Sequence, residues 1–284
     1  MGGGILLLLG TAGAGGPLEK RAAEFREGVQ KTADLYPGKE PATANEEHGK
    51  IVPPAGKGPR KPAVKTEAAV GHGKEAAGTS HGTDTPEITA SEAMKQLMEG
   101  NRRYVFGKSR GPNRSQKHRA ALAGGQHPFA IIVGCSDSRV PPELVFDTGL
   151  GDLFVVRTAG NIVDDIAIGS IEYAVEHLGT PLIIVLGHER CGAVTAAVQG
   201  DDAPGHLKAV VDAIASAVEK AKQKHGDLLA NSVRENAKMV AKKLKASGPI
   251  LSEYVEDGRL KVIGAYYDLD TGAVTITYDP CGPG

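Results

Sequence analysis

Two short motifs in this chain carry side chains that can hold a metal ion. Gly134-Cys135-Ser136-Asp137-Ser138-Arg139 follows the apolar run Phe129–Val133, and Gly187-His188-Glu189-Arg190-Cys191-Gly192 follows the apolar run Leu182–Leu186. Cys135, His188 and Cys191 offer two thiolates and one imidazole, a donor set that suits Zn2+. A His-x-x-Cys spacing at the opening of a helix lets its two side chains converge on one ion. Three protein ligands leave one corner of a tetrahedral site open, which distinguishes a catalytic zinc from a structural one. Water in that corner can lose a proton near about pH 7 and become a hydroxide nucleophile.

Asp137 and Arg139 sit two and four residues past the first candidate ligand, within reach of each other. An aspartate paired to an arginine stays ionised and keeps one orientation. Asp137 could then accept a hydrogen bond from the nucleophile and aim its lone pair. Unpaired from Arg139, the same carboxylate could instead fill the fourth metal position and close the site. Taken singly, each feature has a plainer reading: a buried cysteine is usually packing, and an Asp–Arg pair usually lies on the surface. The two motifs gain force together, because each ends an apolar strand and their donors complete one another.

The elements that must position these residues are legible from periodicity. Phe129–Val133, Leu153–Val156 and Leu182–Leu186 are short continuous apolar runs, as strands buried on both faces show. Ile168, Ile171, Val175 and Leu178 recur at helical spacing between the last two. Strand, helix, strand in this order predicts a right-handed crossover and a parallel sheet. In such a sheet, sites lie just past the carboxyl ends of the strands, where both motifs fall. Thr89 and Glu92 have capping-box spacing before Met94, Leu97 and Met98, which predicts a helix that Gly100 ends or weakens. Further helices are expected over Ala193–Val198, from Leu207 to Val218, and over Ser232–Leu244. Lys261–Asp268 and Val274–Tyr278 close the chain as a hairpin around Asp270-Thr271-Gly272.

Residues 1–86 have a different texture. Ile5–Leu9 followed by the small residues Gly10–Gly16 has the form of part of a secretory signal, although no Lys or Arg precedes it. Both a cytoplasmic and an exported, periplasmic location are therefore compatible with the chain. From residue 17 to about 86, Gly, Pro, Lys, Glu, Ala and Thr dominate, which predicts a disordered linker with a short helix near Leu18–Val29. His48, His72 and His81 in it are read as solvated. The folded domain is expected over residues 87–280.

Composition narrows the function classes. A formal net charge of -1 does not suggest a polyanion such as nucleic acid as partner. Three cysteines in 284 residues do not make a disulfide framework, and Cys281 is read as an idle thiol. No run of about 18 apolar residues predicts a membrane span. No Gly-x-Gly-x-x-Gly opens a helix after a strand, so a dinucleotide binder is not indicated.

The residues resemble the β-carbonic anhydrase family. The likeness rests on Cys135-Ser136-Asp137-Ser138-Arg139-Val140-Pro141 and Gly187-His188-Glu189-Arg190-Cys191-Gly192. It extends through Gly151–Arg157, Gly160-Asn161, Ile171–Val175 and Gly264–Asp268, covering about residues 88 to 279. It implies an α/β fold with a mainly parallel central sheet, an antiparallel C-terminal edge strand and flanking helices. It implies reversible hydration of CO2 to bicarbonate and a proton, with carbon utilisation among the roles such an activity serves. It implies one Zn2+ per subunit on Cys135, His188 and Cys191, oriented by Asp137 and Arg139. It further implies a homodimer, or dimers paired into a tetramer, with the N-terminal helix at about 89–104 reaching across a partner.

Gln126 matches a substrate-binding glutamine in one branch of the family, and Phe154 and Tyr173 match that branch's apolar wall, shared across the dimer interface. Ordinary packing is the plainer reading of the two aromatics. The other branch builds a bicarbonate pocket around a tryptophan, and this chain has no Trp, so the resemblance is to the open-site branch. Arg157-Thr158-Ala159-Gly160-Asn161 departs from the family's Arg-Asn-x-Ala-Asn. The competing expectations are a carbon disulfide or carbonyl sulfide hydrolase on the same scaffold, and a non-enzymatic zinc protein closed by Asp137.

Overall fold

The computed structural model describes residues 88–200 and 203–280. The signal-like segment, the linker with its three histidines, and Cys281 lie outside the described residues. No helix among the described residues is long and apolar enough to cross a membrane.

Five strands form one sheet: β1 (Ala130–Cys135), β2 (Leu153–Thr158), β3 (Leu182–His188), β4 (Lys261–Tyr267) and β5 (Val274–Tyr278). Their order is β2-β1-β3-β4-β5, and every pairing is parallel except the antiparallel β4–β5 edge. The apolar runs of β1 and β3 are buried at every position, because successive side chains point to opposite faces and helices cover both. Each run also extends beyond its apolar part: β1 ends on Cys135 and β3 on His188.

On one face, Ile132, Leu182, Ile184 and Ile263 pack against α1 (Ala90–Val105) and α3 (Pro142–Val145). On the other, Ile131, Val133, Ile183 and Val262 pack against α4 (Asp165–Glu176), α7 (Leu228–Lys245) and α8 (Ile250–Glu256). A third apolar cluster joins α5 (Gly192–Gln199) and α6 (Leu207–Ala221) to Cys135 and Cys191.

The capping box at Thr89 forms: the Glu92 amide donates to Thr89 Oγ1 at 3.2 Å, and the Thr89 amide donates to Glu92 Oε2 at 2.9 Å. Gly100 does not end α1, which runs on to Val105. Its role is close approach, since a Cβ there would stand 1.8 Å from the Phe146 carbonyl oxygen. The buried stripe of α1 is Ala93, Leu97, Gly100 and Asn101. Met94 and Met98 are only half-buried. This stripe lies on the chain's own sheet, so any reach across a partner uses a different face of the helix. Asp227 caps α7 by accepting from the Ala230 amide at 2.6 Å, which starts that helix four residues before the periodicity predicts. The short helices α2 (Gln116–Ala121), α3 and α8 were not predicted, being too short to display a period.

Candidate active site

β1 and β3 are neighbours in the sheet, so their carboxyl ends bring the two motifs together. Cys135 closes β1, His188 closes β3, and Cys191 is the N-cap residue of α5. One donor atom from each lies within 4.8 Å of the others, and all three residues are buried. Two residues, Glu189 and Arg190, carry the chain from His188 back to Cys191. Arg190 adopts φ 51, a left-handed conformation that costs a non-glycine residue roughly 1–2 kcal/mol. Its guanidinium is held by Asp270 on the β4–β5 turn, at 2.6 and 3.1 Å. Glu189 is fixed to the same turn by accepting from the Leu269 amide at 3.1 Å.

The donors are arranged for a cation. His188 Nδ1 lies 2.8 Å from the Glu189 carbonyl oxygen, so Nδ1 carries the proton. Nε2 is buried and has no hydrogen-bond partner, which leaves its lone pair free for a cation shared with the two sulfurs. Cys135 Sγ and Cys191 Sγ are 4.0 Å apart. Two sulfurs bonded at about 2.3 Å to one tetrahedral zinc would stand about 3.8 Å apart, so the donor set fits such an ion.

The two thiols share their first ionisation. A hydrogen bond from Cys191 stabilises the Cys135 thiolate, and burial opposes this. The Gly160 amide, 3.3 Å from Cys135 Sγ, adds to it. Cys191 is pushed up by that same bond to Cys135, by its burial and by the charge on Cys135, while the first amides of α5 pull the other way. A divalent cation relieves this conflict, because it favours both thiolates at once.

The Gly160 amide is itself well placed. Gly160 has φ 69, and a Cβ there would come 2.7 Å from Ile214 Cδ1. Its carbonyl accepts from Asn236 Nδ2 on α7 at 2.8 Å. Nothing in the sequence around Asn236 signalled this contact. Gly160 was visible as part of the family-like Gly-Asn pair, without a role attached.

Asp137 and Arg139 meet as expected. Arg139 Nε and Nη2 donate to the two carboxylate oxygens at 2.9 and 2.7 Å, and the Arg139 amide donates at 2.9 Å. The Arg139 guanidinium thus outweighs burial and holds the carboxyl down at about 2. Asp137 Oδ2 lies 3.7 Å from His188 Nε2, which places the carboxylate beside the donor cluster.

Gln126, Phe154 and Tyr173 are not brought to this cluster by a single chain. Gln126 is exposed in the loop before β1. Phe154 shares a rung with Ile131, four residues short of the Cys135–Thr158 rung, or about 13 Å along the strand. Tyr173 is 49% exposed on α4, its ring against that of His177.

Comparison with known proteins agrees with this geometry. The family profile described as "Carbonic anhydrase" matches residues 130–274. "Carbonic anhydrase 2" of Mycobacterium tuberculosis strain H37Rv is 42% identical over 195 residues, covering 67% of this chain and 94% of that protein. A carbonic anhydrase of Mycolicibacterium smegmatis is 34% identical, covering 67% and 95%. Among solved structures, a tetrameric β-carbonic anhydrase from Sordaria macrospora superposes with a TM-score of 0.54 at 26% identity, covering 67% of this chain and 98% of that one.

Proposed function

Since this chain belongs to the carbonic anhydrase family, in its β class, we propose that it catalyses the reversible hydration of CO2 to bicarbonate and a proton, using one Zn2+ per chain on Cys135, His188 and Cys191. The observation that carries the reading is the buried, unpartnered Nε2 of His188 facing two thiol sulfurs 4.0 Å apart, with the Asp137 carboxylate 3.7 Å away. Zinc bound there supplies Lewis acidity that brings the ionisation of water into the neutral range.

The chain's own residues do the rest. The Glu189 carbonyl fixes the tautomer of His188, and the Gly160 amide steadies Cys135 Sγ. Asp137 accepts a hydrogen bond from the attacking oxygen and sets its direction. Arg139 keeps that carboxylate ionised and, by holding both of its oxygens, keeps it off the metal. This favours an open site over one closed by Asp137.

CO2 is apolar and has little to hydrogen-bond, so an apolar wall with one amide suits it. Phe154, Tyr173 and Gln126 fill those roles when a second copy brings them to the site. The half-exposed Tyr173 and the 80% exposed Ile166 on the same helix support that assembly as a homodimer, or as dimers paired into a tetramer. Stopped-flow CO2 hydration by the zinc-loaded chain, run beside a carbon disulfide turnover assay, tests the reading. Hydration well above the buffer rate, without carbon disulfide turnover, is expected. Turnover of carbon disulfide alone would replace the proposal.

A further inference from the structure

We propose that Arg157 is a positioning residue that holds the ligand Cys135 and the orienting carboxylate of Asp137 at one fixed separation. The inference rests on the zinc reading of the donor cluster. The strands β1 and β2 run parallel up to the Cys135–Thr158 rung, and the Ser136 amide still donates to the Thr158 carbonyl at 3.1 Å. Beyond this point β2 turns away through a single 3-10 turn at Ala159–Asn161. The site loop therefore leaves the sheet with no strand along that side, and its carbonyls need other donors.

Arg157 supplies them. Its Nε donates to the Cys135 carbonyl at 2.8 Å and its Nη2 to the Asp137 carbonyl at 2.5 Å. These carbonyls flank Ser136. One belongs to the residue bearing the sulfur donor, and the other to the residue whose carboxylate stands 3.7 Å from His188 Nε2. A planar guanidinium presents its donors in a rigid fork, so a two-point grip fixes the spacing of the two carbonyls as well as their satisfaction. Among the described residues Arg157 has no carboxylate within ion-pair distance, although it is half-buried. Its hydrogen bonds go to the site loop.

The same protein contains a control. Lys243 Nζ on α7 donates to the Val163 carbonyl at 2.8 Å. This is also a cation-to-carbonyl bond near the end of the β2–α4 connection, but it does not touch the site loop.

The test compares the full-length wild type with Arg157→Met, Arg157→Lys and Lys243→Met. Zinc affinity is measured by competition with a chromophoric chelator, the visible absorption of the Co2+-substituted proteins is recorded, and kcat and KM for CO2 are determined. Arg157→Met should weaken zinc binding about 10–100-fold. It should also change the Co2+ spectrum and lower kcat, leaving KM within about twofold. Arg157→Lys, whose ammonium cannot span both carbonyls, should fall between. Lys243→Met should leave affinity and spectrum unchanged even where it lowers thermal stability.

Wild-type zinc affinity and Co2+ spectrum in both Arg157 variants would overturn the proposal. So would an equal loss in Lys243→Met. Should Arg157→Met fail to fold, Arg157→Lys decides by the same readouts. A wild type that binds zinc without hydrating CO2 would defeat the functional reading alone, since the affinity and spectral measurements would still judge the anchor.

Discussion

Cys135 Sγ and Cys191 Sγ stand 4.0 Å apart at the ends of two different elements, twice the length of a disulfide and close to the spacing of two thiolates on one zinc. Removing either sulfur leaves two donors, too few for a closed or a catalytic zinc site. Cys135→Ala or Cys191→Ala should reduce bound zinc from about one per chain to near none after dialysis. Elemental analysis of the purified variants decides this. Stoichiometric zinc in Cys135→Ala would remove that residue from the ligand set.

Asp137 should matter to turnover far more than to metal retention. Its carboxylate is bound through both oxygens to Arg139 and only neighbours the donor cluster. Asp137→Asn should lower kcat by about 10²–10⁴-fold while zinc content holds. Arg139 depresses the Asp137 carboxyl to about 2, so this group stays ionised throughout the working range. The loss should therefore persist across the working pH range, since no ionisation of Asp137 falls within it. Full activity would remove the orienting role.

What the sequence made legible follows from periodicity and from strand ends. The apolar runs at 129–133 and 182–186 read as buried strands because helices cover both faces, and the site residues follow directly from where those strands stop. The run at 153–156 also forms a strand, but it lies at the sheet's edge and is half-buried at every position rather than buried on both faces, a difference that an apolar run alone does not signal. Asn236 was not legible as part of the site, and Arg157 was visible only inside a family-like stretch, without a role attached. Their contacts to Gly160, Cys135 and Asp137 join residues 20 to 76 positions apart, and they are set by how α7 and β2 lie against the site loop. Gly100 was misread because a glycine in a helical pattern signals a break from sequence alone. Here it marks a close approach by the Phe146 carbonyl instead.

Asn101 ties three elements together. Its side chain donates to the Val145 and Gly272 carbonyls at 3.0 and 2.8 Å, and accepts from the Val274 amide at 2.9 Å, all buried. Asn101→Leu leaves these groups without partners and should cost about 3 kcal/mol in urea unfolding. A loss under about 0.5 kcal/mol would mean that the hairpin relaxes to find other donors.

Asp147 should set part of the acid limb of stability. Burial raises its carboxyl, but the Arg103 side chain and the Arg110 and Gly111 amides outweigh that and leave it below the ordinary range. A folded pKa below the unfolded value of about 3.9 means the stabilisation is fully present above that value and is lost as pH falls below it. The stability difference between wild type and Asp147→Asn should thus be largest near neutral pH and shrink below about pH 4. A difference that is constant from pH 6 to pH 3 would contradict this assignment.

The most direct test of the central claim is to titrate zinc into the metal-free chain while following CO2 hydration by stopped flow. Activity should rise linearly with added zinc and break at about one equivalent per chain, as three ligands holding one ion require. Hydration that is already complete without zinc, or that never appears when the site is filled, would contradict the account.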